Sequence, residues 1–159
     1  MTAAILTEKV IMRQFGRINM IDTLQKAQQE GRAPWTNVSL DTRDFVVYED
    51  AFPVTDGHTL VVPKSNTQDE LMKCFKFAVA MGNDNVASPN NNITGYNIGL
   101  NIGASAGQTC MYPHVHLIFR RDGDCPDPVG GVRNVIPGKG NYRKEQRYDE
   151  FKITATEGC

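Results

Sequence analysis

The chain has 159 residues, of which 40% are hydrophobic and 22% charged, with a formal net charge of −1. That length buries a core without disulfide or metal support, most economically as one domain. The balance argues against a dedicated nucleic-acid binder, which needs clustered Lys and Arg to displace counterions, and no apolar run is long enough to span a bilayer.

The N-terminus, M-T-A-A-I-L-T-E-K, lacks a basic leader before its short apolar segment, which argues against a secretory signal. Cys74, Cys110, Cys125 and Cys159 form no C-x-x-C pair, so neither a zinc knuckle nor a thioredoxin-type motif is present. Reduced thiols in a cytoplasmic protein are the expectation, and the sequons at Asn37 and Asn92 then carry no glycan.

Residues 1–17 show only a mixed pattern. Ile18, Ile21, Leu24 and Ala27 then recur every third residue to Glu30, with Gly31 placed as a C-cap, which predicts an amphipathic helix. The segment R-A-P-W-T-N (32–37) reads as loop. F-V-V-Y-E-D (45–50) and H-T-L-V-V-P (58–63) are β-branched and aromatic, and a turn through Pro53 and Asp56-Gly57 joins them as an antiparallel pair. Thr67 and Glu70 suit a capping box for a helix with the apolar face Leu71, Phe75, Ala78 and Val79, ending near Gly82. Residues 83–92 read as a polar loop. Y-N-I-G-L-N-I (96–102) and H-V-H-L-I-F (114–119) give two more strands, joined by a glycine-rich loop. Beyond Arg121, Gly and Pro are frequent to about residue 141, and N-Y-R-K-E-Q-R-Y-D-E-F suggests a closing helix. Helix, strands, helix, strands at hairpin spacing, with no βαβ rhythm, predicts an α+β fold with an antiparallel sheet.

Two of the three histidines sit on the last of these strands. Alternation puts His114 and His116 on one face, roughly 7 Å apart, and sends Val115, Leu117 and Phe119 into the core. Tyr112 has the parity of the histidines, and Pro113, without an amide donor, fits a strand start. A neutral imidazole approaches a phosphate without charge repulsion, and a second one can protonate the departing atom. Gly99, Gly103 and Gly107 could expose backbone amides to phosphate oxygens, with Gln108 and Thr109 adding side-chain donors. Two other readings stay open on the residues alone. Histidines also occur on half-exposed strands with no chemical role, and H-x-H is a metal-ligand pair when His58 or a carboxylate supplies a third ligand. The glycine run is not G-x-G-x-x-G, P-G-K-G (137–140) lacks the Ser or Thr of a P-loop, and D-G-D-C-P-D (122–127) lacks the glycine and Glu of an EF-hand.

G-H-T-L-V-V-P-K (57–64), N-I-G-L-N-I-G-A-S-A-G-Q-T (97–109) and H-V-H-L-I-F-R-R (114–121) together resemble the histidine-triad superfamily of nucleotide hydrolases and transferases. The resemblance covers about residues 44–121, and the tail 123–137 looks like the extension of a bacterial-type subgroup. The signature strand of that family is His-φ-His-φ-His-φ-φ, with φ apolar. Anchoring on Gln108 places its first position at Tyr112, its central, nucleotidylated histidine at His114 and its third at His116. The chain therefore resembles a triad whose first member is replaced.

What the resemblance implies is specific. It implies the histidine-triad α+β fold, with an antiparallel sheet of about five strands, packed helices and a homodimer. Residues 41–121 would be the core, between an N-terminal helical extension (1–40) and a C-terminal one (122–159), all in one compact unit. His114 would attack the α-phosphate of a purine nucleotide derivative and His116 would assist the leaving group, with no metal or other cofactor required. Asp50, eight residues before His58, would bind the ribose hydroxyls, its plainer role being to stabilise a turn. His58 and Asn101 would lie at the phosphate, and Gly107, Gln108 and Thr109 would hydrogen-bond it. Tyr112 would touch the substrate as a phenol that does not titrate near neutral pH. Hydrolysis leads. Nucleotidyl transfer (Pro113 is shared with the His-Pro-His segment of the transferase branch), a binding module with little turnover, and a metal enzyme using His114, His116 and His58 stay behind it.

Overall fold

Each alternating segment finds a partner in one sheet. The computed structural model describes residues 21–143, so Ile18 and the closing segment beyond Arg143 lie outside the described residues. Strands β1 (Val38–Asp41), β2 (Phe45–Glu49), β3 (Thr59–Pro63), β4 (Gly95–Leu100) and β5 (Val115–Arg120) form a five-stranded sheet of order β1-β2-β3-β5-β4. Every neighbouring pair is antiparallel. Helices α1 (Leu24–Gln29) and α2 (Gln68–Ala87) cover it, giving the expected α+β architecture. No helix among the described residues is long and apolar enough to cross a membrane.

The sheet's two faces pack separately. On one, Val47, Val61, Val115, Leu117 and Phe119 bury against Cys74 and Ala78 of α2. On the other, Val46, Tyr48, Leu60, Val62 and Tyr112 bury against Leu24 and Ala27 of α1. A one-residue slip of β5 would trade Val115, Leu117 and Phe119 for the histidines. That would cost about 1.5–3 kcal/mol for each large side chain lost from the core, so the face of the histidines is fixed by their neighbours.

Five differences from the sequence expectations have local causes. The first helix starts only at Leu24, because Thr23 caps it by accepting a hydrogen bond from the Lys26 amide, and Ile21 is 58% exposed. Gly31 does follow its end, with φ +72°. Strand β1 has no counterpart among the expected elements, since all four of its residues are exposed and carry no alternation. Helix α2 runs through Gly82 to Ala87, so residues 83–87 are helical. Gly82 is no stop signal: a Cβ there would lie 2.7 Å from the Tyr96 ring, which packs on the helix backbone. Val79 is exposed, and the buried face runs instead through Cys74, Ala78 and Gly82. Thr67 caps α2 as expected, whereas Glu70 reaches the Ser65 amide rather than closing the box.

Candidate active site

Pro113 ends the loop and β5 begins, bringing His114 and His116 onto the sheet face that α1 only partly covers. Their ring centroids are 4.9 Å apart. His114 is 7% exposed, and its Nδ1 lies 2.8 Å from the Tyr112 carbonyl oxygen. A carbonyl only accepts, so Nδ1 carries the hydrogen and Nε2 keeps a lone pair.

His116 Nδ1 meets His58 Nε2 at 3.0 Å, and His58 Nδ1 lies 3.4 Å from Asp50 Oδ2. The Val54 amide also approaches His58 Nδ1, at 3.4 Å. An amide can only donate and a carboxylate can only accept, so the two compete for that nitrogen. Both contacts are long, and the negative charge of the carboxylate favours the tautomer with the hydrogen on Nδ1. His58 then donates from Nδ1 to Asp50 and accepts at Nε2 from His116 Nδ1–H. The chain Asp50–His58–His116 thus ends in a lone pair on His116 Nε2, a buried atom with no partner among the described residues.

Burial is the first cause acting on all three imidazoles, and it pushes each below the ordinary histidine range. His116 is lowered to about 4, because the neighbouring His114 and His58 add to the effect of burial. Asp50 works the other way on each ring. At neutral pH the site holds neutral, nucleophilic rings.

A cavity of about 320 Å³ opens beside this row, lined among others by Trp35, Asp50, Phe52, Thr109, His114 and His116. The Trp35 ring lies 4.7 Å from His114, tilted by 56°. Asp50 fills its turn-stabilising role with one oxygen, which accepts from the Phe52 amide at 2.8 Å, and turns the other toward His58.

The structure brings together His114, His116, His58, Asp50 and Thr109. Asn101 does not line this cavity; it lines a second one, together with His58 and His116. The loop residues behave differently from expectation. Gln108 is a staple: its Oε1 accepts from the Gly103 amide at 2.9 Å and its Nε2 donates to the Cys110 carbonyl at 3.0 Å. The Gly107 amide donates to Ala104 O, and Gly99 lies inside β4. The amides of Gly103 and Gly107 are therefore spent inside the loop, where their φ values of +84° and +80° require glycine.

Tyr112 is a correction. It is 0% exposed, and its hydroxyl donates to the Pro63 carbonyl at 3.0 Å, inside the core under α1. The side chain lines no face of the cavity, and only its carbonyl reaches the histidines. The metal grouping also differs from the expected trio. Among the described residues, ligand atoms of Asp50, His58 and His116 lie within 4.8 Å of one another, without His114. A metal there would have to displace the hydrogen bonds of the relay.

Trp35 and Phe52 are site residues that the sequence reading missed. Trp35 is the chain's single tryptophan, beside Pro34 in a segment with no period, and that isolation is the one signal that could have marked it.

The HIT domain family model matches residues 33–123, more than half of the chain. An uncharacterized HIT-like protein of Saccharolobus solfataricus is 30% identical over 122 residues, covering 70% of this chain and 81% of that one. An uncharacterized 16.1 kDa HIT-like protein of Mycoplasma pneumoniae is 38% identical over 78 residues, 43% of this chain and 51% of that one. Other curated relatives are likewise spanned over about half their length or less. Among solved structures, a Zn-bound histidine triad family protein from Mycobacterium smegmatis is 29% identical with a TM-score of 0.50, over 62% of this chain and 78% of that one.

Proposed function

This chain belongs to the HIT domain family, and from the geometry around His114 we propose that it hydrolyses nucleoside phosphate derivatives through a nucleotidyl-histidine intermediate. The substrate class is a nucleoside phosphoramidate or a dinucleoside polyphosphate, with a purine base. One observation carries the reading: the Tyr112 carbonyl holds the hydrogen of His114 on Nδ1 and so leaves Nε2 as a lone pair in a nucleotide-sized cavity.

The His114 Nε2 lone pair attacks the α-phosphorus. An N–P bond forms as the bond from phosphorus to the leaving group breaks, its electron pair going to the leaving atom. That atom takes from His116 Nε2 a proton that this nitrogen has gained from solvent as the anionic substrate binds. Water then attacks phosphorus, the N–P electron pair returns to His114, and His116 Nε2 takes the water proton, which restores the starting state. His116 is neutral in the free protein, and the negative charge of a bound phosphate favours its protonated form. Asp50, acting through His58, stabilises that charge. Thr109 supports the phosphate oxygens, on a loop held by Gln108. Trp35 and Phe52 take the base, and the Asp50 carboxylate has lone pairs left for ribose hydroxyls. Tyr112, in the place of the first histidine, supplies only a carbonyl, which any residue there would offer.

The neutrality of His116 is the observation that favours the second reading, a nucleotide-binding module with little turnover. Intact mass after brief mixing with adenosine phosphoramidate or diadenosine tetraphosphate separates the two. A nucleotidyl adduct that is lost in His114→Ala supports hydrolysis. Thermal stabilisation by AMP with neither adduct nor AMP release supports the binder. The homodimer belongs to the same proposal, and light scattering checks it.

A further inference from the structure

Arg32 follows α1 in the chain, and its guanidinium joins both ends of that helix to the loop ahead of β5. Nη1 and Nη2 donate to the two carboxylate oxygens of Asp22 at 3.0 and 2.9 Å. Nε donates to Glu30 Oε2 at 2.8 Å, and Nη2 lies 2.7 Å from the same oxygen. Nη1 also donates to the Met111 carbonyl at 3.1 Å, across 79 residues of sequence. Two carboxylates fix the plane of the fork, so the N–H aimed at Met111 has a set direction. An ion pair that served only to close α1 would need Asp22 and Glu30, and the bond to Met111 adds nothing to the helix.

The segments joined in this way both line the nucleotide cavity. The amides of Arg32 and Ala33 donate to the Ala27 carbonyl at 2.8 and 3.3 Å, so the chain leaves α1 from a fixed point. Pro34 and Trp35 then line the cavity, as do Thr109 and Cys110 of the loop that carries Met111. Asp22 is itself anchored, its carbonyl accepting from the Asn66 amide at 2.7 Å. Residue 112 is held at two points. Its hydroxyl donates to the Pro63 carbonyl, and the peptide before it is gripped by Arg32. The carbonyl after it is the one that accepts from His114 Nδ1.

Resting on the proposed hydrolysis, we infer that Arg32 is a positioning residue of the site. It fixes the peptide ahead of Tyr112, so that the Tyr112 carbonyl keeps the His114 hydrogen on Nδ1, and it sets the Trp35 and Thr109 segments relative to each other. Its action on the reaction runs through Met111 and Tyr112. Lysine would keep a charge, but a single ammonium on a flexible stem cannot hold two carboxylates and a carbonyl in one plane.

The test reads two signals from the full chain. One is kcat and KM for adenosine phosphoramidate. The other is the side-chain 15N spectrum of His114 at about pH 8, where the ring is neutral and the shifts report which nitrogen carries the hydrogen. Arg32→Lys should lower kcat about 10- to 100-fold, with a smaller rise in KM, and convert a single Nδ1–H form into a mixture of tautomers. Asp22→Asn keeps the guanidinium but removes the charge that orients it. It should move both signals the same way by less, and it decides the matter if the lysine variant does not fold. Thr23→Ala removes the cap of α1 without touching the fork, and should lower the melting temperature with neither signal moved. If the Arg32 and Asp22 variants lower only the melting temperature, Arg32 is scaffold and the assignment is overturned. It is equally overturned if Thr23→Ala shifts the tautomer as far as they do, since any loosening of α1 would then suffice. A parent chain that releases no AMP would remove the hydrolase reading, while the His114 tautomer in the variants would still decide whether Arg32 positions that ring.

Discussion

One face of the sheet is used in two ways. Under α1, Tyr48, Leu60, Val62 and Tyr112 are sealed into a core, and the Tyr112 hydroxyl is satisfied by the Pro63 carbonyl. Further along the same face, Asp50, His58 and His116 stand in a polar row that ends in a nitrogen with no partner among the described residues. Residues 112, 114 and 116 share a parity, yet the first is core and the other two are chemistry. Strand alternation sets which face a side chain takes. What lies over that face decides whether it packs or reacts.

The largest break in this comparison should come from the open half. His114→Ala is expected to reduce turnover of a nucleoside phosphoramidate by about 10³-fold or more, with the nucleotidyl adduct gone by mass, while AMP still raises the melting temperature. A residual rate within tenfold of the parent would mean that the attacking group lies elsewhere. His116→Ala should cost about 10²- to 10⁴-fold, most for the poorest leaving group. Asp50→Asn keeps the shape of the turn but loses the charge behind His58. We expect about a tenfold to hundredfold loss, with the alkaline limb of the kcat/KM profile, set by loss of the His116 proton, displaced to lower pH. The sign follows from the relay, because without the carboxylate the protonated form of His116 is less favoured. An unmoved limb would sever Asp50 from His116.

Stability should also separate the halves. Each of the three imidazoles is depressed in the folded chain, His116 to about 4, against about 6.5 when unfolded. Between those limits the unfolded chain binds more protons than the folded one, so stability rises with pH across the window and levels off above about pH 7. Descending from pH 7 to pH 4 should cost on the order of 2–3 kcal/mol from His116, with smaller contributions from its neighbours. Denaturant titrations at half-unit intervals would show this. In His116→Gln the slope should flatten, and an identical slope in that variant would assign the dependence to other groups.

Much of this was legible in the sequence. β2, β3, β4, β5 and both helices follow from hydrophobic period, and the histidine pair follows from alternation against Val115, Leu117 and Phe119. β1 was not legible, because an edge strand with four exposed residues has no buried face to betray it. Nor was the relay: Asp50 meets His58 across a turn whose path the intervening residues do not specify. Trp35 reaches His114 from a loop without period. Parity alone misplaces Tyr112, because parity is visible in the sequence while the packing of the helix at residues 24–29 over that side chain is not.

Tyr112→Phe therefore carries the smallest expected effect and the sharpest reading. Removing the hydroxyl leaves the Pro63 carbonyl without that donor but keeps the ring and its packing, so the cost should be about 1–2 kcal/mol in a denaturant melt. The carbonyl that orients His114 belongs to the backbone and is unchanged, so kcat should stay within about twofold. Tyr112→His tests the same point from the other side. An imidazole in the sealed half would lose the phenol's fit and bury a titratable ring, lowering stability without raising the rate. If instead Tyr112→Phe left stability intact and reduced kcat a hundredfold, the phenol would be acting on the histidines, and the boundary between the packed and reactive halves of this face would have to be drawn on the other side of residue 112.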